Sequence, residues 1–159
     1  MNAEALRRWM MSPLPYRAFL WRHIPLAAFA GLRVTELDGE HCVVRLPGGW
    51  RTRNPFRSTY FAAQAMAAEL STGAPALLAV RSAPRSISML VRGIQGTFTK
   101  KAVGATFFTF SDVPAMQAAV ARAGDSGDGE TFVARSTGRL TDQSVVAEFE
   151  ITWGFRRRA

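Results

Sequence analysis

The clearest pattern in the chain is a period of two in residues 145–155, where one face is entirely apolar and the other carries Val146, Glu148, Glu150, Thr152 and Gly154. A period of two places successive side chains on opposite faces of a β-strand. One face would carry six apolar residues, which are Val145, Ala147, Phe149, Ile151, Trp153 and Phe155. The alternation predicts a strand of an antiparallel sheet with one face packed against a core.

Shorter apolar runs predict the remaining strands. Residues 32–46 indicate a hairpin, because Asp38-Gly39 is a strong turn signal between two apolar runs. In residues 86–99 the apolar phase shifts around Gly93 and Gly96, which predicts a β-bulge in a bent strand. Two more strands are predicted over residues 102–111 and 131–140.

The longest helical pattern is the alanine-rich run over residues 60–70, whose small side chains would let a sheet curl closely around the helix. Ser58 or Thr59 suits the N-cap of this helix, and Gly73 and Pro75 are expected to end it. Shorter helices are predicted over residues 3–10, 16–23 and 113–123.

This order of elements predicts an α+β fold, in which one antiparallel sheet wraps around a long central helix. Residues 1–30 would form an N-terminal helical extension, and residues 31–159 a single domain. The length of 159 residues and the apolar content of 48% suit one domain with a substantial core.

Charge and cysteine content narrow the partners and the compartment. The 20 basic residues exceed the 12 acidic ones, and the excess of arginine favours phosphate-bearing or other anionic partners. Nucleic acid is not expected, since the aromatic residues fall mostly on predicted core faces. Cys42 is the single cysteine, so no intrachain disulfide can form and a cytoplasmic location is expected.

The apolar stretch over residues 14–31 does not predict a membrane span. Arg17, Arg22 and His23 interrupt it, as do three prolines. A short helix that packs Phe19 and Leu20 on the domain is the favoured interpretation, and a membrane-surface anchor is the alternative.

Several kinds of chemistry have no sequence support. The glycines do not form a phosphate-binding loop or a dinucleotide fingerprint. Two histidines and one cysteine cannot supply a usual zinc set, so no metal site is predicted. His41 and Cys42 are neighbours on a predicted strand and point to opposite faces, so they cannot form a nucleophile and base pair.

Glu69 is the strongest candidate for chemistry, because it is an isolated acid in the apolar helix. On a helical wheel it shares a face with Ala62, Ala65 and Met66, so the side expected to pack carries a charge. A carboxylate removed from water is costly unless it is paired, hydrogen-bonded or functional. A last-turn acid that reaches solvent is the alternative interpretation.

Asn54 lies fifteen residues before Glu69, with the predicted helix start at Tyr60-Phe61 between them. This arrangement resembles the hotdog-fold acyl-CoA thioesterases of the phenylacetate-pathway and human-type branch. The resemblance implies that Asn54 is the loop asparagine, Phe61 the backbone position that forms the oxyanion hole, and Glu69 the catalytic acid. Here Tyr60-Phe61-Ala62 replaces the His-Gly-Gly of that branch, and glutamate replaces its aspartate.

Phe61 and Glu69 are eight residues apart, which is roughly 12 Å along one helix. One thioester carbonyl cannot contact both groups, so a shared site requires two antiparallel chains, and a homodimer that could pair into a tetramer is expected. Glu69 would activate water or attack directly, while Asn54 and the Phe61 amide of the other subunit stabilise the oxyanion.

The resemblance implies an acyl-CoA or related acyl ligand, with coenzyme A as part of the substrate and no separate cofactor. Tyr60 and Met66 are candidates to contact the acyl group, together with Met89. Lys100 and Lys101 are candidates for the phosphates, as are Arg92 and the final arginines. The alternative function is a non-catalytic protein of the same fold that binds an acyl-CoA or fatty acyl ligand.

Overall fold

The computed structural model describes residues 3–158, and within them the chain forms five helices and six strands. The helices are α1 (Ala3–Met10), α2 (Pro13–His23), α3 (Pro25–Ala30), α4 (Phe61–Ser82) and α5 (Val113–Ser126). The strands are β1 (Arg33–Leu37), β2 (Cys42–Leu46), β3 (Ile87–Phe98), β4 (Thr106–Phe110), β5 (Glu130–Leu140) and β6 (Val145–Arg157).

All six strands belong to one sheet in the order β1-β2-β4-β5-β6-β3, and every neighbouring pair is antiparallel. The pairing of β3 with β6 shifts between Val91 and Gly93, which confirms the predicted bulge. Helix α4 packs against strands β2 to β6. The predicted α+β architecture of a sheet wrapped around a long helix is therefore confirmed.

The prediction that Gly73 and Pro75 end the central helix is wrong, because α4 continues to Ser82. Gly73 and Pro75 are both buried inside the helix, and Ala76 and Leu78 beyond them join the same core. Glycine and proline are unfavourable inside a helix by about 1 and about 3 kcal/mol. The apolar burial that follows Pro75 outweighs this local preference.

The prediction of Ser58 or Thr59 as the N-cap is also wrong. The N-cap is Tyr60, whose side chain makes no capping hydrogen bond. The Ser58 hydroxyl instead donates to Asn54 Oδ1 at 3.2 Å, and the Thr59 amide donates to the Ala102 carbonyl at 2.8 Å. The residues that could cap the helix are used to fix the preceding loop.

The N-terminal helices pack on the same core as the sheet. Helix α1 has the predicted bounds, α2 begins at Pro13, and α3 was not predicted. Leu6, Met10, Tyr16 and Leu20 are buried and belong to the core cluster that also contains the sheet residues. The short α3 escapes a pattern search because six residues cover fewer than two helical turns.

Two buried hydroxyl contacts fix α4 over the sheet next to Glu69. Trp153 Nε1 donates to Thr72 Oγ1 at 2.9 Å, and the Thr72 hydroxyl donates to the Glu69 carbonyl oxygen at 3.0 Å. At the preceding residue of α4, the Ser71 hydroxyl lies 2.7 Å from the Ser136 hydroxyl of β5. These contacts set the rotation of α4 and hence the direction of the Glu69 side chain.

Candidate functional site

Asn54 organises the loop that leads into α4. Its Oδ1 accepts hydrogen bonds from the backbone amides of Phe56 and Ser58 at 3.0 and 3.1 Å, in addition to the Ser58 hydroxyl. Arg57 takes a positive φ of 59° within this tight turn. The other end of the side chain, the Asn54 Nδ2 amide, donates no hydrogen bond within residues 3–158. It is therefore available as a donor to a ligand.

The start of α4 presents two more free donors. The amides of Ala63 and Gln64 both bond to the Tyr60 carbonyl, at 3.1 and 3.3 Å. For the amides of Phe61 and Ala62 the described part of the chain offers no acceptor. Unpaired amides at a helix N-terminus, together with the helix dipole, favour an anion or a polarised carbonyl oxygen.

Asn54 and Phe61, which carry two of these donors, line a cleft of about 570 Å³. Its walls come from the loop before α4, the first turn of α4 and the end of β3. The lining residues are Asn54, Pro55, Phe56, Ser58, Thr59, Tyr60, Phe61, Gln64, Phe98, Thr99, Lys100, Lys101 and Ala102. The structure thus brings together five of the predicted residues, namely Asn54, Tyr60, Phe61, Lys100 and Lys101.

Sequence reasoning missed Gln64, which is buried beside this cleft. Its Nε2 donates to the Thr59 carbonyl at 3.2 Å, while no described residue donates to its buried Oε1. A polar residue in the first turn of an otherwise apolar helix was the available signal. Gln64 therefore adds an acceptor to the group of donors at the helix start.

Glu69 does not line this cleft, and neither does Met66. The Glu69 side chain makes no hydrogen bond or ion pair within the described residues, and burial raises the pKa of its carboxyl above the ordinary value of 4.5. A Cβ placed on Gly73 would lie 2.9 Å from Glu69 Oε1 and 3.3 Å from Trp153 Cζ2. Glycine at position 73 therefore provides the space that the carboxyl occupies beside the Trp153 ring.

Glu69 lies on a face of α4 that no other part of the described chain covers completely. Ala62, Ala65 and Met66 on this face are only half-buried. Beside it, β3 forms an unpaired edge of the sheet, and its Ile94 and Phe98 are 51% and 47% exposed. A free sheet edge flanked by exposed apolar side chains is a surface suited to pairing with another chain.

The raised pKa of Glu69 predicts a pH-dependent stability. A carboxyl that binds its proton more tightly in the folded state stabilises the fold below the unfolded pKa of 4.5, and this contribution is lost as pH rises through the folded pKa. The free energy of unfolding of Glu69→Gln, minus that of the wild type, should therefore increase as the pH rises from 4.5 through the folded pKa. Urea titrations between about pH 4 and about pH 8 measure it.

The exposed Glu148 provides the matched control for this measurement. Glu148→Gln should show no comparable increase in stability relative to the wild type, because its side chain is in contact with water. A flat difference for Glu69→Gln would contradict the buried, unpaired state of that carboxyl.

Other reactive groups do not form a second centre in the described part of the chain. Residues 3–158 contain no group of three or more histidine, cysteine or acidic side chains placed to hold a metal ion. Cys42 is fully buried, and burial raises the pKa of its thiol to about 12. His41 Nε2 lies 2.9 Å from Glu36 Oε2 on the β1–β2 hairpin. No helix within those residues is long and apolar enough to cross a bilayer.

Solved structures with the same architecture include proteins described as thioesterases. PA5026 from Pseudomonas aeruginosa, a protein of unknown function and probable thioesterase, gives a TM-score of 0.72 at 23% identity, over 99% of this chain and 97% of its own. Thioesterase HI1161 from Haemophilus influenzae gives 0.66 at 9% identity, over 94% of each chain. These likenesses establish the hotdog fold that the resemblance implied.

Two structures of SAV0944 from Staphylococcus aureus, a thioesterase enzyme, are also similar. They give TM-scores of 0.61 and 0.62 at 11% and 12% identity, over 84% and 83% of this chain and 99% and 98% of their own. One carries a glutamate-to-alanine replacement and the other a glutamine-to-alanine replacement, fifteen residues apart.

Sequence comparison gives one family and no individual relative. A family model described as Domain of unknown function (DUF4442) matches residues 16–154. Comparison with curated proteins gave no match.

Proposed function

This chain belongs to the family described as Domain of unknown function (DUF4442), and we propose that it hydrolyses acyl-CoA thioesters at a site completed by two copies of the chain. The observation that carries the proposal is Glu69, a largely buried carboxyl with no polar partner among residues 3–158, on an open face of α4. Two turns before it, the same helix offers free amide donors to a cleft.

The donors suit the developing charge of thioester hydrolysis. Addition of water to the carbonyl carbon places a negative charge on the carbonyl oxygen, which preorganised amides stabilise. The Phe61 amide and Asn54 Nδ2 supply two such donors on residues that line the cleft, and the Ala62 amide is the next donor along α4. Asn54 and Glu69 also have the fifteen-residue spacing of the replaced glutamine and glutamate in SAV0944.

Glu69 supplies the base that these donors lack. Its carboxylate takes a proton from water as the water oxygen adds to the thioester carbon, and the oxyanion is held by the donors of the partner subunit. Collapse of the intermediate breaks the carbon–sulfur bond, and Glu69 returns the proton to the departing thiolate. Direct attack by the carboxylate, with hydrolysis of the resulting anhydride, is the second route open to the same residue.

Two copies are needed because Glu69 and Phe61 are roughly 12 Å apart along one helix. The uncovered face of α4 and the unpaired edge of β3 are adjacent and apolar, which suits a two-fold interface. Antiparallel packing of two α4 helices would place Glu69 of one copy near the helix start of the other. Each dimer would then contain two equivalent sites.

The same surfaces indicate where the substrate lies. Lys100 and Lys101 on the rim of the cleft suit the phosphates of coenzyme A, although Lys100 Nζ also lies 3.1 Å from Ser144 Oγ. Met66 and Ile94 flank the open face and suit an acyl chain once a second copy covers it. Arg92 packs over Gly154 on the other face of the sheet, which makes it a weaker candidate for the phosphates.

One observation favours the alternative function of a non-catalytic acyl-CoA or fatty acyl binder. The rings of Tyr60 and Phe61 pack edge to face with their centroids 4.7 Å apart, and both are about half exposed at the cleft. A ring at position 61 narrows the approach to the amide that glycine would leave open. A protein with this arrangement could bind the acyl ligand without hydrolysing it.

Release of the coenzyme A thiol separates the two functions. Wild-type protein is incubated with short-chain, long-chain and aromatic acyl-CoAs, and free thiol is measured with a chromogenic reagent. Cys42 is fully buried and does not contribute to the signal from folded protein. Turnover of at least one substrate supports hydrolysis, whereas saturable binding of the panel without turnover supports the binder.

Gly73→Ala should reduce this turnover. The added methyl group would lie 2.9 Å from Glu69 Oε1 and force the carboxyl to rotate. It would also crowd the buried Trp153 ring at 3.3 Å, which opposes the helix preference of alanine of up to about 1 kcal/mol. Gly124→Ala is the matched control in α5, because its Cβ would meet nothing closer than Ile87 Cδ1 at 3.5 Å. Equal turnover in both variants would show that the position of the carboxyl is unimportant.

A further inference from the structure

The outer surface of the N-terminal helices carries large apolar side chains that nothing in the described chain covers. We call this the N-terminal apolar surface and define it by six exposed residues, which are Leu14, Trp21, Ile24, Leu26, Phe29 and Trp50. Leu14, Leu26 and Trp50 are 79%, 71% and 75% exposed. Exposed leucine and tryptophan side chains in one region indicate a contact surface.

Each of the two helices α2 and α3 exposes some of these residues, while its other face packs on the core. In α2, Leu14 and Trp21 are seven residues apart and share one face, whereas Tyr16 and Leu20 are buried. In α3, Leu26 and Phe29 are exposed, and the three buried alanines point inward. Phe29 and Trp50 pack edge to face at 5.9 Å, so the loop before Asn54 joins the same surface.

The charge in this part of the chain is mainly positive. Residues 3–60 contain nine arginines and four acids, which are Glu4 on α1 and Glu36, Asp38 and Glu40 on the β1–β2 hairpin. Beside the surface, α2, α3, β1 and β2 line a cleft of about 450 Å³. Its lining includes Arg17, Arg33, Arg45 and Arg51, and no acid. None of these four guanidiniums has a hydrogen bond or an ion pair with another residue in 3–158.

We propose that the N-terminal apolar surface docks on an anionic lipid bilayer. Tryptophan, phenylalanine and leucine would enter the boundary between headgroups and acyl chains, and the surrounding arginines would meet the lipid phosphates. Neither α2 nor α3 is long and apolar enough to cross the bilayer. The combination favours lipid over nucleic acid, because exposed leucines add nothing to phosphate recognition along a strand.

The location of the N-terminal apolar surface in the fold favours a lipid bilayer over a second copy of the chain as its partner. Strands β1 and β3 are opposite edges of the sheet, and α2 and α3 pack on the β1 side. A dimer formed through β3 would leave the N-terminal apolar surface uncovered at each outer end. Membrane docking does not depend on the proposed hydrolysis, and it is measured without substrate.

Sedimentation with vesicles tests the proposal. Full-length protein is mixed with vesicles of phosphatidylcholine alone, or of phosphatidylcholine containing about one quarter phosphatidylglycerol. We expect partitioning at least about tenfold stronger on the anionic vesicles, and weaker at high salt, where charge is screened. Equal partitioning on both vesicles, or none on the anionic ones, would overturn the proposal.

Matched variants identify the surface. Leu14→Ser, Leu26→Ser and Trp50→Ser combined should lower partitioning on anionic vesicles by at least about tenfold. The control combines Leu90→Ser with Val133→Ser, which are 68% and 49% exposed on β3 and β5, and it should bind like the wild type. Equal loss in both proteins would show that the proposed surface is not responsible.

Charge variants separate lipid from other partners. Arg17→Glu with Arg22→Glu should weaken vesicle binding, whereas Arg85→Glu, an exposed change just before β3, should not.

Analytical ultracentrifugation of the variant with Leu14→Ser, Leu26→Ser and Trp50→Ser tests whether the surface binds a second copy of the chain. A lower oligomeric state than that of the wild type would show that the surface binds a second copy, and the lipid proposal would fail. Tighter binding to random duplex DNA than to anionic vesicles would overturn it in favour of nucleic acid.

Discussion

If the proposed function holds, Glu69→Gln should lower kcat/KM for acyl-CoA hydrolysis by about 10²-fold to about 10⁴-fold, the range typical for loss of a general acid–base group. The amide keeps the shape of the carboxyl beside Gly73 and Trp153 but cannot take a proton from water or attack the thioester. Thiol release at saturating and limiting substrate measures the change. The variant should bind substrate with little change in affinity, because the missing step is chemical.

One control variant and one stability measurement make this result interpretable. Glu148→Gln makes the same chemical change at an exposed position and should retain wild-type turnover. Unfolding of Glu69→Gln in urea should require at least as much denaturant as the wild type, since burial of the charge is removed. Turnover by Glu69→Gln that equals the wild type would remove Glu69 from the mechanism.

Ile94→Asp should convert the proposed dimer to monomers and reduce turnover by at least about 10²-fold, because Glu69 and the oxyanion donors of a single chain are too far apart to act on one carbonyl. Ile94 is 51% exposed on β3, so an aspartate is hydrated in the isolated copy and the fold survives. In the dimer the same carboxylate would be buried without a partner, which is costly. Analytical ultracentrifugation and thiol release measure the two effects.

Val133→Asp is the matched control for this change, because Val133 is 49% exposed on β5, away from the β3 edge. It should remain dimeric and active. A monomeric Ile94→Asp protein with full turnover would show that one chain contains a complete site.

Local patterns were sufficient for much of the fold. The alternation in residues 145–155 corresponds to β6, and the phase shift near Gly93 corresponds to the bulge in β3. These features depend on neighbouring residues of the same strand, so they are visible in sequence. The order of strands within the sheet depends on long-range pairing, and it was not predicted from the sequence.

The ends of α4 could not be predicted because tertiary contacts decide them. Local propensity favours termination at Gly73 and Pro75, but the burial of Ala76 and Leu78 keeps the helix intact to Ser82. Ser58 has the side chain of an N-cap, yet the Asn54 turn uses its hydroxyl. In both cases a contact with another part of the chain decides the outcome against the local rule. Core packing keeps the helix intact beyond Gly73 and Pro75, and the loop takes the Ser58 hydroxyl that would cap the helix.

The candidate site could be predicted only in part, because some of its residues are neighbours in sequence and others meet only through tertiary contacts. Asn54, Tyr60 and Phe61 are close in sequence, and the structure brings them to one cleft. Lys100 and Lys101 follow β3 and line the same cleft. They were candidates for the phosphates only because the resemblance implied a coenzyme A substrate. Gln64 was missed because its position inside the cleft depends on how the loop folds back onto α4.

Mixed dimers test most directly whether two subunits share each site. Glu69→Gln removes the base, and Asn54→Asp removes the Nδ2 donor while keeping the oxygen that orders the loop. In a mixed dimer one site has both defects and the other has neither. Random pairing of equal amounts after joint refolding should restore about one quarter of wild-type turnover from two inactive proteins. Turnover that stays at the level of the separate variants, in dimers shown to be mixed, would contradict the shared site.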